Sequence, residues 1–369
     1  MIKIIQTEKS IFILLILFLL LTNSYYGEHE INASARSSFY YLDIANSFPG
    51  GMSLENSRQA YIHGERFLIP YFVGFVANLL DISSFYIFQA FTYFAISILI
   101  IINYKIINKV IPDKNYNLLF FSLFLLNPYI CRYSLSNPVM LNDIIFIISI
   151  SLLFWSFLDK KNILFYLSLL LAIISRQTSI LIILALIFSL VLPYKNEFIN
   201  FKKIFFSFLL FIINYFISQQ YLEISNINIF YNFQFFGLID FFQNDFKILM
   251  FLKFLFLPFL SFGPLFAIII FLLLKKKILL SINEKNVFFI VVLILFVAQP
   301  FFAGPVVAGK NIIRLATHGY TFIIFLLCLN LKNLGNLSKK SSIIFFIILS
   351  FWSFHPTFSN VKIFEFLKI

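Results

Sequence analysis

The stretch of sequence that decides the fold is residues 163–192, ILFYLSLLLAIISRQTSILIILALIFSLVL, in which a polar break, Ser175–Ser179, separates two apolar runs. Lys160 and Lys161 precede the first run, and Lys195 follows the second. Because Lys and Arg gather in the cytoplasmic loops of membrane proteins, both flanks are expected in the cytoplasm. The chain must therefore leave the cytoplasm and return, which predicts a helical hairpin with its break near the outer face.

The whole chain has the composition of a membrane protein. Of its 369 residues, 61% are hydrophobic and 12% are charged, whereas about a quarter of residues are charged in soluble domains. Two Cys are too few for a fold that depends on several disulfides. The sequence also lacks a long polar low-complexity tract of the kind that indicates disorder. No structural metal site is visible. The formal net charge of +12 indicates Lys-rich cytoplasmic loops rather than nucleic-acid binding.

The same alternation of apolar runs and Lys clusters extends along the chain. It predicts an all-α, polytopic transmembrane helical bundle of about eleven spans, a single integral membrane domain over residues 1–369. Because Thr22–Ser24 is a poor signal-peptidase site, the first run is expected to be an uncleaved span with a cytoplasmic N-terminus. The predicted spans are residues 11–21, 85–104, 118–130, 144–158, 163–174, 181–192, 204–218, 248–274, 287–302, 315–331 and 343–354.

Two segments near the N-terminus are predicted to lie on the outer side. Residues 24–66 form the first extracytoplasmic loop, and residues 67–80, which contain Pro70, form a short half-inserted helix. Within the loop, Tyr41, Ile44, Ala45 and Phe48 follow the i, i+3, i+4, i+7 spacing of an amphipathic helix, with Asp43 and Asn46 on its polar face. A second short helix is predicted from Ser53 to Ile62. These helices are expected to lie on the membrane surface.

Arg and Lys separate on this topology. Seventeen of 22 Lys are cytoplasmic, whereas all six Arg and all four His lie on or near the outer face. Because the planar Arg fork suits carboxylate and phosphate, one interpretation is an outer phosphate site, and the other is a set of ion pairs with outer acids such as Asp143 and Glu65. The candidate phosphate-binding residues are Arg66, Arg176, Arg314, His63 and His318.

At these residues the chain resembles the GT-C superfamily of polytopic glycosyltransferases, and within it bacterial relatives of the lipid A aminoarabinose and protein O-mannosyl transferases. The resemblance rests on Phe39–Ala45, Glu65–Pro70, Asn127–Pro128, Asp143, Ser175–Thr178 and Asn311–Arg314. It implies transfer of a sugar from a polyprenyl-phosphate carrier to a cell-envelope acceptor, at the outer face of a bacterial inner (plasma) membrane. The expected partners are the polyprenyl-phosphate-linked sugar and membrane lipid, and no nucleic-acid partner is expected.

The resemblance also implies a catalytic carboxylate acting as general base, with Arg forks holding the phosphate leaving group. The family usually has an acid three or four residues before the Tyr of the first loop, where this chain has Ser37 and Ser38. Asp43, or Glu28, Glu30 or Glu65, would then take this role, and Asp143 matches the second outer acid of the family. The catalytic candidates are Asp43, Glu65 and Asp143. For Asp143, an N-cap on the helix it opens is the alternative interpretation. Some family members use a divalent metal, but no ligand set is identifiable in this sequence.

Two other functions fit an outer face rich in Arg and His. An O-antigen polymerase or ligase also acts on lipid-linked glycans, but such proteins usually carry their largest outer loop in the C-terminal half. A transporter or flippase of lipid-linked glycans predicts internal repeats and charges at the middle of the bilayer. Here the large loop comes first and the charges gather near one face, which favours the glycosyltransferase.

Overall fold

A computed structural model describes residues 13, 16–17, 36–51, 64–111, 113–192, 197–221, 237–244, 247–252, 255, 262–274, 286–308, 312–330 and 339–353. The regular structure in this part of the chain is all α-helical, as the sequence predicts. Four helical stretches in it are long and apolar enough to cross a membrane, and they indicate an integral membrane protein. These stretches are Ser84–Val110, Asn115–Ser136, Pro138–Asp159 and Phe201–Tyr221.

Fourteen α-helices fall within the described residues. They are α1 (Arg36–Asn46), α2 (Leu68–Leu80), α3 (Ser84–Val110), α4 (Lys114–Leu125), α5 (Tyr133–Ser136), α6 (Leu141–Asp159), α7 (Asn162–Ser175), α8 (Ile180–Val191), α9 (Phe201–Tyr221), α10 (Gly237–Asn244), α11 (Leu265–Leu274), α12 (Val287–Ala308), α13 (Ile312–Asn330) and α14 (Lys339–Ser353). A π-helical turn, Pro128–Arg132, leads into α5, and 3₁₀ turns at Pro138–Met140 and Gln177–Ser179 precede α6 and α8.

Helices α3 and α6 run side by side in the same direction. The hydroxyl of Thr92 donates to the carbonyl oxygen of Pro138 at 2.9 Å, and the hydroxyl of Ser151 donates to Oδ1 of Asn103 at 3.3 Å. The two residues in each contact are separated by nearly the same number of positions, as expected for helices that run in the same direction. Small polar side chains bridge helices where water is excluded, because each buried polar group needs a partner.

One end of the bundle carries the Lys clusters. At the end of α6, Asp159 forms ion pairs with Lys109 at the end of α3 and with Lys161, the latter at 3.5 Å. Lys160 lies 3.9 Å from Glu197, which comes just before α9. We call this group the Lys end. Two Lys clusters that the sequence assigns to one face, residues 105–114 and 160–161, thus meet in the structure.

Helix α12 starts and α13 finishes near the Lys end. The ring of Phe288 stacks on Phe157 of α6, with centroids 4.6 Å apart. The amide of Asn286 donates to Oδ1 of Asn330 at 3.1 Å, which joins the beginning of α12 to the end of α13. The two helices are therefore antiparallel, as the apolar runs predict, and their other ends lie at the far end of the bundle.

The amphipathic helix predicted near the N-terminus is confirmed as α1. Tyr41, Ile44 and Ala45 are buried, whereas Asp43 is exposed. Helix α1 packs on α2 at Gly74, where any Cβ atom would collide with the backbone of Ala45. Only Gly allows two backbones to approach this closely. The apolar face of α1 is therefore used for packing on the bundle.

The predicted helix bounds need three corrections. Residues 131–143, which the sequence predicts to be a loop between the spans 118–130 and 144–158, are mostly buried and mostly helical. Neighbouring helices supply partners for their polar groups, as when Arg132 donates to the hydroxyl of Ser353. A turn at 262–264 interrupts the run 248–274, and Gly263 there adopts a positive φ of +43° beside the Trp352 ring. Helix α12 also continues to Ala308, through Pro300 and Pro305.

The other predicted segments divide into two groups. The half-inserted helix, the hairpin broken at Ser175–Ser179 and the runs at 85–104, 204–218 and 343–354 are all found as helices, extended by a few residues at most places. The first span at 11–21 falls largely outside the described residues, and the short helix from Ser53 to Ile62 lies entirely outside them. The described residues include four full-length candidate spans rather than eleven.

Candidate functional site

Three interruptions of helical structure meet at the end of α6 opposite the Lys end. They are the turn that precedes α2, the start of α6 and the end of α7. The amide nitrogen of Asn142 joins them, since it donates to the carbonyl oxygens of Arg66 at 3.0 Å and of Ser175 at 3.5 Å. Backbone carbonyls at helix ends lack helical partners, and here one buried amide serves two of them.

The side chains of Arg176 and Asp143 form a buried ion pair at this junction. Arg176 is fully buried and Asp143 is 4% exposed. Nε of Arg176 donates to Oδ1 of Asp143 at 2.9 Å, and Nη2 donates to the same oxygen. Of the two interpretations left open for this Arg, the ion pair with an outer acid is therefore present in the structure.

Local structure explains how the pair forms. Helix α7 ends at Ser175, and Arg176 adopts an extended conformation with φ −154° and ψ 137°, which turns its side chain away from the helix axis. Asp143 lies in the first turn of α6, where the helix dipole favours a negative charge. Met140, rather than Asp143, is the N-cap residue of α6, so the N-cap interpretation is wrong.

Arg66 lies in the same junction but has neutral partners. It is 6% exposed, and its Nε donates to Oε1 of Gln177 at 2.5 Å while Nη1 donates to the hydroxyl of Tyr41 at 3.1 Å. Within the described part of the chain, Arg66 has no carboxylate within the 4.0 Å of an ion pair. A buried guanidinium whose hydrogen-bond partners are neutral is a candidate anion site, because its hydrogen bonds to a carboxylate or phosphate are stronger than those to neutral groups.

Glu65 supplies a buried carboxylate next to this guanidinium. It is 8% exposed and forms a hydrogen bond with Gln177. Burial raises the pKa of Glu65, while the hydrogen bond with Gln177 and the charge of Arg66 act in the opposite direction. Because burial dominates, Glu65 is a stronger proton acceptor than an exposed Glu. We call Tyr41, Glu65, Arg66, Asn142, Asp143, Arg176 and Gln177 the Arg–acid cluster.

The other predicted site residues lie elsewhere. Asp43 is exposed on the face of α1 opposite to Tyr41, and desolvation by its surroundings raises its pKa. His318 is buried on α13, and its ring is edge-on to the ring of Phe146, with the two ring centroids 4.9 Å apart. Phe146 lies about one helical turn after Asp143 on α6. The side chain of Arg314 and the whole of His63 lie outside the described residues.

Sequence analysis missed three members of the cluster. Tyr41 was assigned to the apolar face of α1, although its hydroxyl reaches Arg66. Asn142 and Gln177 carry no charge, so the distribution of charged residues between the two predicted faces could not reveal them. The one available clue was position, since each lies next to a charged residue, Asp143 or Arg176, at a predicted helix end.

The described residues do not contain a group of three or more His, Cys, Asp or Glu side chains arranged to hold a metal ion. In the cluster, Arg176 already occupies one oxygen of Asp143. The described residues therefore do not fit a divalent metal.

Comparisons with protein-family models, with curated proteins and with solved structures find no match to this chain.

Proposed function

We propose that the protein is a glycosyltransferase that moves a sugar from a polyprenyl-phosphate carrier to a cell-envelope acceptor on the extracytoplasmic face of a bacterial inner membrane. The observation that carries the proposal is the buried guanidinium of Arg66, whose described partners are neutral and which lies beside the buried carboxylate of Glu65. The first group suits a phosphate, and the second suits removal of a proton from a hydroxyl.

The roles of the two groups follow from their chemistry. Glu65 accepts the proton of an acceptor hydroxyl, and the oxygen of that hydroxyl forms a bond to the anomeric carbon of the donor sugar. The bond from that carbon to the phosphate oxygen breaks, and the phosphate leaves with the electron pair. Arg66 donates hydrogen bonds to the phosphate and offsets its growing charge. The ion pair between Arg176 and Asp143 holds the helix ends in position around them.

The proposed topology has eleven spans and a cytoplasmic N-terminus. The length of α6 supports the part of this topology that places the cluster near the outer face, since Asp143 in the cluster and Asp159 at the Lys end are about 24 Å apart along the helix axis. The apolar core of a bilayer is about 30 Å thick. With the Lys end at the cytoplasmic surface, the cluster lies close to the outer surface, whereas a transporter site is expected near the middle.

Labelling of single cysteines tests this orientation. Ser83 lies between α2 and α3 and Asn162 begins α7, and both are exposed. A thiol reagent that cannot cross the membrane should modify Ser83→Cys in intact cells and should modify Asn162→Cys only after permeabilisation. The native Cys131 and Cys328 are buried and provide a low background. The reverse pattern would contradict the topology.

Binding of the carrier lipid tests the function. The purified protein in detergent should bind a short-chain polyprenyl phosphate, and it should bind the polyprenol of the same length at least about tenfold more weakly, because charge-assisted hydrogen bonds to a phosphate each contribute roughly 1.5–3 kcal/mol. The polyprenol is the matched control for the apolar chain. Equal affinity for the two lipids would contradict the proposal, since the buried guanidinium would then not be used for an anion.

A further inference from the structure

Several buried polar atoms in and next to the Arg–acid cluster have no hydrogen-bond partner among the described residues. They include Oδ1 of Asn142, the hydroxyls of Thr178 and Tyr215, and both amide atoms of Gln219. Asn142 itself is fully buried. Nearly all buried polar groups in native proteins have a partner in protein, water or ligand. Several such atoms around one cluster therefore indicate a site that binds a polar ligand.

The last turns of α9 bring two of these side chains to the cluster. Tyr221, at the end of α9, stacks on Phe67 with ring centroids 4.2 Å apart, and Phe67 directly follows Arg66. Tyr215 is close enough to Glu65 for the two to interact electrostatically. Gln219 is four residues after Tyr215, so the two side chains lie on the same face of α9. Both therefore face the junction that holds Arg66 and Glu65.

This surface has the chemistry of a hydroxyl-binding site. After Lys203, near its beginning, α9 contains no Lys, Arg, Asp or Glu. A phenol, a carboxamide and the amide oxygen of Asn142 supply both donors and acceptors without charge. Hydroxyl groups require this mixture, because each can donate one hydrogen bond and accept others. A phosphate requires cations and donors instead, and those lie on the Arg66 side of the junction.

We propose that Tyr215, Gln219 and Asn142 form a subsite that binds the hydroxyl groups of the donor sugar, next to the phosphate held by Arg66. This inference rests on the proposed function and adds to it the residues that recognise the sugar. The sugar ring would lie between α9 and the start of α6, which brings its anomeric carbon close to Glu65. Because the subsite leaves its polar atoms unpaired when empty, a ligand that lacks matching hydroxyls is disfavoured.

The test compares carrier lipids with and without a sugar. The probes are a short-chain polyprenyl phosphate and the same lipid carrying mannose, glucose, galactose or arabinose. For at least one sugar, the wild-type protein should bind the sugar-linked lipid about tenfold more tightly than the bare lipid, the effect of one or two buried hydrogen bonds. Gln219→Leu and Tyr215→Phe should abolish this gain while leaving affinity for the bare lipid within about twofold.

Gln220→Leu is the matched control, because Gln220 is the adjacent residue and is exposed. It should keep the full gain from the sugar. Tyr215→Phe removes one oxygen atom and keeps the ring, so it also covers the case in which the Gln219 variant fails to fold. The inference is overturned if no sugar improves binding to the wild-type protein, or if both variants keep the gain. Failure of the bare lipid to bind would instead overturn the proposed function, together with this inference.

Discussion

Asp143→Ala is expected to lower the free energy of unfolding by about 3 to 5 kcal/mol, because it leaves the fully buried guanidinium of Arg176 without its carboxylate. Unfolding by sodium dodecyl sulfate in mixed micelles would measure the effect. Asp43→Ala is the matched control, since it also removes a carboxylate but from an exposed position. That change should stay within about 0.5 kcal/mol of the wild type.

A double replacement separates the charge from the packing. In Asp143→Leu combined with Arg176→Met, both charges are gone and apolar side chains of similar size fill the space. Because replacing a whole buried ion pair is often neutral or stabilising, the double variant should recover most of the stability that Asp143→Ala loses. Wild-type stability of Asp143→Ala would contradict the buried ion pair as the element that joins α6 to α7.

Glu65→Gln is expected to reduce sugar transfer by a factor of about 10² to 10⁴, the usual cost of losing a general base. The substitution keeps the shape and the hydrogen bond with Gln177 but removes the basic carboxylate. The assay is release of polyprenyl phosphate from the sugar-linked lipid in native membranes. Asp43→Asn is the matched control and should keep transfer, since Asp43 faces away from the cluster. Wild-type transfer by Glu65→Gln would exclude Glu65 as the base.

The same variant should gain stability as its transfer is lost. Burial raises the pKa of Glu65 above its ordinary value of 4.5, so in this range the folded protein binds more protons than the unfolded chain. The stability of the wild type therefore falls as the pH rises from about 4.5 through the raised pKa, whereas Glu65→Gln has no proton to lose. Its stability advantage should grow with pH over this window.

Much of the fold follows from two sequence patterns. Apolar runs between Lys clusters predict the helices, because a chain that is apolar over a helix-length stretch has few other ways to satisfy its backbone in lipid. The polar break at Ser175–Ser179 therefore appears as the end of α7 and the start of α8. The spacing of Tyr41, Ile44 and Ala45 likewise predicts the buried face of α1.

What sequence alone missed depends on contacts between distant segments. Residues 131–143 contain polar residues and Pro, which resemble a loop in isolation, but Arg132 finds Ser353 more than two hundred residues away. Exposure and partners also separate two of the candidate bases, because Glu65 is buried beside Arg66 whereas Asp43 is exposed. Such long-range partners have no local signature.

The measurement that tests the central claim most directly is the affinity of purified Arg66→Lys for a short-chain polyprenyl phosphate. Lys keeps the positive charge but lacks the planar fork, so affinity should fall by about tenfold or more. Arg132→Lys is the matched control, because Arg132 is equally buried but bonds Ser353, and it should bind like the wild type. Unchanged affinity in Arg66→Lys would contradict a phosphate site at Arg66.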